Sequence, residues 1–259
     1  MWRVMKRFFL ILCSFSLKIF GESFDVEKLP MLRTQQYPIH SFEKIALFSL
    51  PRTGSSLVYN IFRYLFEAPE NFSYFHNEFN LNCLVLKTQR FEEIKQVDGS
   101  PIIYIVTIRN PIDSITSHYR IYSHKIHNIQ NFVKFRIAIY MEFLKFYEDL
   151  RQKGKDVLFL KYEDFAENID YIFDRIESRF AIHIDQADRI LMQKGYGREN
   201  VLSSVELFPD FEGYWPLSGF HGQHIKSDTY KPPKELTYWI EKLIEQVKPE
   251  FRKYGYFLD

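Results

Sequence analysis

Short, almost wholly apolar runs alternate with longer segments of helical spacing from residue 44 to residue 180, and this alternation limits the possible folds most sharply. KIALFSL (44–50), CLVLK (83–87), PIIYIVTI (101–108) and DVLFLKY (156–162) are too continuously apolar for a sheet with one wet face, and read as buried strands. Between them lie SSLVYNIFRYLF (55–66) with Gly54 or Ser55 near its start, a helix beginning beyond Pro111, and a long helical candidate over 131–151. Helical spacing continues through YEDFAENIDYIFDRIESRF (162–180), where Asp164 is placed to cap. Pro232 and Pro233 precede a last helix with apolar positions at Leu236, Trp239, Ile240, Leu243, Ile244 and Val247. Strands buried on both faces need helices above and below them. The expected fold class is therefore α/β, three-layered, with a mainly parallel central sheet and right-handed crossovers.

The 259 residues suffice for one large α/β domain, and with no internal repeat or low-complexity linker the expectation is a single domain over 40–259. An apolar content of 46% excludes wholesale disorder. A mean hydropathy of -0.27 excludes a polytopic membrane protein. Lys and Arg number 34 against 33 Asp and Glu, so a net charge of +1 offers no global field for nucleic acid, and any anion site must be local. Two cysteines, Cys13 and Cys83, make neither a disulfide scaffold nor a metal cluster, and no metal is expected.

Residues 1–24 place Arg3, Lys6 and Arg7 before an apolar run from Phe8 to Leu17. The cleavage grammar is poor, and the run falls short of the roughly 20 residues that span a bilayer. A signal peptide or short anchor, an interfacial helix and a helix packed on the domain all stay open, as do cytoplasmic and membrane-associated locations. The stretch 195–234 is rich in Gly, Pro, Ser, His and aromatic residues with little periodicity, which suggests a functional loop or lid. Rings make up 18% of the chain. Those in the 68–82 and 195–225 loops are the subset placed to meet a ligand.

The most informative local sequence is SLPRTGSSLVYNIF (49–62), where a buried strand ends, Gly54 permits a tight turn, and Ser55 and Ser56 open a helix whose free N–H groups suit an anion. Arg52 adds a charged fork, and the hydroxyls of Thr53, Ser55 and Ser56 add donors. It is not a Walker A loop, because the GxxxxGK[ST] spacing is absent. By itself the segment reads equally as a phosphate cradle or a hydroxyl-rich helix cap. A second signal follows the strand YIVTI: Arg109 at its end, Asn110 or Asp113 as a local cap, and Ser117 about two helical turns later. Arg109 and Ser117 converge only if the chain turns back between them.

Together, in this order and separation, PRTGSS and RNPIDSITSHY resemble the 5'-phosphosulfate loop and the 3'-phosphate motif of the sulfotransferases that use 3'-phosphoadenosine 5'-phosphosulfate (PAPS). FLKYEDF (159–165) is similar to a later strand segment of that family, and SGFHGQHIKSD (218–228) is a weaker match to its glycine-containing phosphate loop. The resemblance implies a P-loop nucleotide-hydrolase-like fold and PAPS as donor. It implies Arg52 beside the bridging oxygen of the donor, and Thr53, Gly54, Ser55 and Ser56 around the 5' phosphate. Arg109 and Ser117 would hold the 3' phosphate, with Gly222, His224 and Lys226 approaching it. Lys161 and Glu163 are expected to form a structural ion pair. Leu57 stands where some cytosolic relatives carry an adenine-stacking tryptophan, a departure from the steroid and phenol enzymes.

The transfer needs cations and donors around a sulfonyl centre that accumulates charge, for which Arg52 is the first candidate and Lys87 the second. It also needs a base. Many relatives place a histidine after a lysine and a hydroxyl residue, whereas this chain has Lys87, Thr88, Gln89, and an amide cannot collect a proton at neutral pH. Glu78 is the substitute candidate, with His76 its neighbour in FSYFHNEFN. His118 adjoins Ser117 but points about 100° away on a helix. The implied acceptor is a hydroxyl on a carbohydrate, lipid or small metabolite, with no nucleic-acid partner. Two other readings are a catalytically weakened PAPS-binding or interaction protein, suggested by Gln89, and an ATP-dependent kinase, opposed by the missing Walker A loop.

Overall fold

The computed structural model describes residues 29–33, 35–38, 44–67, 81, 83–97, 101–197, 200–201 and 230–257. Residues 1–24, the base candidates His76 and Glu78, and Gly222, His224 and Lys226 lie outside the described residues.

The described chain runs α1 (Leu29–Leu32), β1 (Lys44–Ser49), α2 (Ser55–Phe66), β2 (Val85–Thr88), α3 (Phe91–Ile94), β3 (Ile102–Ile108) and α4 (Pro111–Tyr122). It continues through α5 (Ile129–Gln152), β4 (Asp156–Lys161), α6 (Tyr162–Phe165), α7 (Asp170–Phe180), α8 (Gln186–Tyr196), α9 (Lys234–Ile244) and α10 (Lys248–Arg252). The four strands form one parallel sheet in the order β2-β1-β3-β4. The three-layer α/β expectation is met.

Side-chain alternation divides the core. Ile45 and Leu47 of β1, with Ile103 and Ile105 of β3, face Val58, Ile61, Phe62 and Phe66 of α2 and Phe173 and Ile176 of α7. Ala46, Phe48, Tyr104 and Val106 face the other way, against Ile115 of α4, Val133, Tyr140 and Phe143 of α5, and Leu236 and Ile240 of α9. The two central strands are therefore covered on both faces, which is why their sequences lack polar alternation. Full burial of such side chains is worth about 1.5–3 kcal/mol each. Many aromatic rings serve this second layer: Phe48 lies 5.0 Å from Phe91, 5.2 Å from Phe143 and 4.9 Å from Phe146.

Several element boundaries differ from the sequence expectation. β2 starts at Val85 rather than Cys83. The 162–180 segment breaks into a single turn, closed by the Ala166 N–H on the Tyr162 carbonyl, and a separate helix from Asp170. Asp164 therefore sits inside the short turn and caps nothing long. The final helix ends at Ile244, and Val247 instead precedes α10, whose early Pro249 fits a helix start. Helix α8 was not expected, because a carboxylate occupies its inward face. Asp188 is fully buried, held by the Tyr37 hydroxyl at 2.8 Å and the Tyr64 hydroxyl at 2.9 Å.

Candidate functional site

β1 sends the chain through α2 to β2 on one side of the sheet, whereas β3 sends it through α4 and α5 to β4 on the other. Between the carboxyl ends of β1 and β3 the crossovers diverge and leave a crevice, the usual ligand position in a parallel sheet. Both sequence signals lie there. The loop 50–54 follows β1, and Arg109 follows β3.

The loop is closely held. The Thr53 hydroxyl donates to the Leu50 carbonyl at 2.8 Å and meets the Thr107 hydroxyl of β3 at 2.8 Å. That side chain is buried and turned toward the sheet. The Ser114 hydroxyl of α4 donates to the Pro51 carbonyl at 3.0 Å. Arg52 and Gly54 both have positive φ, 71° and 77°. For Gly54 this costs nothing special, and a Cβ there would stand 2.7 Å from both Phe165 and Tyr162. For Arg52 a left-handed backbone costs about 1–2 kcal/mol, strain that aims its side chain across the crevice.

Arg52 joins the two motifs. Its Nε donates to the Ser117 hydroxyl at 3.0 Å, while Arg109 Nη1 donates to the Arg52 carbonyl at 3.3 Å. The required return of the chain between Arg109 and Ser117 is supplied by α4, started by Pro111 and by the Asn110 side chain accepting from the Ile112 N–H at 3.0 Å. The Arg109 guanidinium lies over the Tyr162 ring, 4.2 Å from its centre. Burial, then Arg120 and Arg109, pull Arg52 down to about 10, so it stays charged at neutral pH. Burial also lowers Arg120, with further repulsion from Arg109. Three arginines thus repel one another around one crevice, a field that an anion of more than one charge relieves.

On the other side of the loop, Lys87 Nζ donates to the Ser56 hydroxyl at 3.1 Å and lies 5.7 Å from the Tyr59 ring centre. The side chain retains some surface, but protein crowds the ammonium and burial pulls it down to about 7. Strand alternation puts Lys87 on one face of β2 and Thr88 on the other, where the Thr88 hydroxyl donates to Glu93, while Gln89 follows the strand and is exposed. His118 turns into aromatic packing, 4.9 Å from Tyr122 and 5.7 Å from Phe132 between ring centres. Burial, then Arg136 and Arg52, push it down to about 3, so it is neutral at physiological pH.

The FLKYEDF segment supports the crevice from below. Tyr162 and Phe165 fill the space beside Gly54, and Glu163 accepts from the Asn110 N–H at 2.7 Å and the Tyr256 hydroxyl at 2.9 Å. Lys161 lies 4.7 Å over the Tyr256 ring. The expected Lys161–Glu163 ion pair is replaced by two separate contacts with one tyrosine. Leu57 packs against the core on the α2 side. Sequence reasoning missed Arg120, although it lies one helical turn after Ser117 and so shares its face. It also missed Arg136, an arginine on the otherwise apolar face of α5. Among the described residues there is no group of three or more His, Cys, Asp or Glu arranged to hold a metal, and no helix long and apolar enough to cross a membrane.

No family model matches the chain, and no curated protein matches it. Among solved structures it is similar to that of a mouse sulfotransferase, SULT7A1, complexed with PAP, at 16% identity, with 88% of each chain covered and a TM-score of 0.47. A likeness at that level says nothing about the site or its chemistry.

Proposed function

We propose that the chain transfers a sulfonate group from PAPS to a hydroxyl acceptor. The observation that carries this reading is the junction at Arg52, where one guanidinium links the loop after β1 to Ser117 while Arg109 holds the carbonyl of the same residue. Two anion motifs separated by more than fifty residues are thereby closed onto one crevice. A nucleotide with phosphates at both ends matches that arrangement better than one with a single phosphate chain. The motif resemblance supplies the identity of the donor.

In this reading the N–H groups at the start of α2, with Ser55 and Ser56, hold the 5' phosphate, and Thr53 contributes its backbone while its hydroxyl fastens the loop to β3. Arg109 and Ser117 hold the 3' phosphate, with Gly222, His224 and Lys226 joining them. The acceptor oxygen forms a bond to sulfur as the bond from sulfur to the phosphate oxygen breaks. Arg52 and Lys87 stabilise the charge that builds on the transferred group and the departing phosphate. The acceptor proton passes to Glu78, with His76 beside it. The acceptor class is a carbohydrate, lipid or small metabolite.

Incubation with PAPS labelled in its sulfonate group, over an acceptor panel, tests the reading. Transfer of label to a hydroxyl, lost in Arg52→Ala, is the expected outcome. PAP binding without transfer to any acceptor would favour the weakened, binding-only reading that Gln89 suggests. ATP turnover with no response to PAPS would favour the kinase.

A further inference from the structure

Arg136 lies on the inward face of α5 with only 4% of its surface exposed, and its Nε and Nη2 are buried without a hydrogen-bond partner among the described residues. One turn on, the buried Tyr140 hydroxyl faces the Ser114 hydroxyl but, among the described residues, has no partner within hydrogen-bonding geometry. Across the helix interface, the buried Nδ1 of His118 is unpartnered as well. The His118 ring packs on Phe132, one turn before Arg136 on the same face of α5. Three polar groups without partners among the described residues thus meet between α4 and α5.

Among the described residues, arginines outnumber carboxylates around them. His118 feels Arg136 and Arg52, and Tyr140 feels Arg136 and Arg109. Glu163 is the carboxylate coupled to Tyr140, and its two oxygens already accept from Asn110 and Tyr256. A water molecule can satisfy an N–H group but cannot neutralise a buried guanidinium. Among the described residues Arg136 has no counter-charge within ion-pair distance, and such a guanidinium is among the most costly groups to bury, so a chain selected for stability alone would carry an apolar residue there. The face that surrounds it is aromatic, with Tyr122 and Phe132 against the His118 ring and Tyr119 against Phe132.

We infer that His118, Arg136 and Tyr140 form an oxyanion subsite for an acidic group, carboxylate or sulfate, carried by the acceptor. The inference rests on the sulfotransferase reading for the word acceptor, and it narrows the acceptor to a molecule with an apolar or aromatic body, an anionic end and a hydroxyl. Arg136 presents its guanidinium to the oxyanion, the Tyr140 hydroxyl donates a second bond, and neutral His118 donates a third in the tautomer that carries the proton on Nδ1. Arg52 acts electrostatically on His118 and bonds to the adjacent Ser117, so in this reading the anionic end of the acceptor binds near the transfer site.

The full chain, saturated with PAP, is titrated with 4-hydroxybenzoate and its neutral counterpart 4-hydroxybenzamide, with inorganic sulfate as an anion-only arm. The acid is expected to bind about tenfold or more tightly than the amide, the loss typical of one charge-assisted hydrogen bond. Sulfate should compete with it. Arg136→Met should remove the preference, Arg136→Lys should keep part of it, and PAP affinity should stay within about threefold in both. Because an uncompensated charge has been removed, Arg136→Met should also raise the Tm of the unliganded protein, which shows that the variant folds. Equal binding of acid and amide by the parent protein, no binding of either, or an undiminished preference in Arg136→Met overturns the subsite. A large fall in PAP affinity in that variant also overturns it, by assigning Arg136 to the donor. If the parent protein fails to bind PAP, the donor reading fails separately, and the titration without PAP still decides the oxyanion subsite.

Discussion

Gly54 shows how little freedom the anion loop has. Its φ of 77° excludes most side chains, and a methyl group would be driven into Tyr162 and Phe165 at 2.7 Å. Gly54→Ala is expected to destabilise the protein by about 1–3 kcal/mol and to weaken PAP binding more than tenfold, because the displaced rings also carry Arg109. Thermal unfolding and calorimetric titration check both, and unchanged PAP affinity would remove the loop from the site. Lys87 offers a second residue-level test. Burial holds it down to about 7, below its unfolded value of 10.5. A phosphate placed beside Ser56 favours the charged ammonium and raises that value, so binding PAP at pH 7.5 should take up a fraction of a proton. Calorimetry in two buffers of unlike ionisation enthalpy reads this uptake. It should vanish in Lys87→Met, and an equal uptake there would place the titrating group elsewhere.

At the level of elements, the site depends on a chain of contacts from the C-terminal segment to the start of α4. The Tyr256 hydroxyl donates to Glu163, Glu163 accepts from the Asn110 N–H, and Asn110 opens the helix that presents Ser117. Tyr256→Phe should cost about 0.5–1.5 kcal/mol of stability and weaken PAP binding a few-fold through Arg109 and Ser117. A lower Tm with unaltered PAP affinity would make the contact purely structural. This clamp could not be read from the sequence, since Tyr256 lies 93 residues from Glu163 and nothing local links them. The strands and the Asn110–Pro111 helix start were legible, because burial on two faces and N-capping leave local patterns. Helix α8 was not, because buried Asp188 is satisfied by tyrosines from two distant segments. Arg52 and Arg109 were visible as members of motifs. Their junction at Ser117 was visible only as a condition on how α4 must run.

For the whole molecule, a formal charge of +1 hides a strongly uneven distribution. Arg52, Arg109 and Arg120 share the crevice at the β1/β3 divergence, Lys87 stands on the other side of the loop, and Arg136 is buried between α4 and α5. Burying so many cations near one loop opposes folding, so an anionic ligand that relieves the repulsion should stabilise the protein as it binds. The most direct measurement is calorimetric titration of the full chain with PAP and with adenosine 5'-phosphate, which lacks the 3' phosphate, repeated on Arg109→Ala. PAP should bind more tightly than adenosine 5'-phosphate, and Arg109→Ala should lower PAP affinity about 10- to 100-fold while nearly abolishing the difference between the two nucleotides. Equal affinity for the two nucleotides in the parent protein, or PAP binding untouched in Arg109→Ala, would contradict a crevice built for a nucleotide with phosphates at both ends.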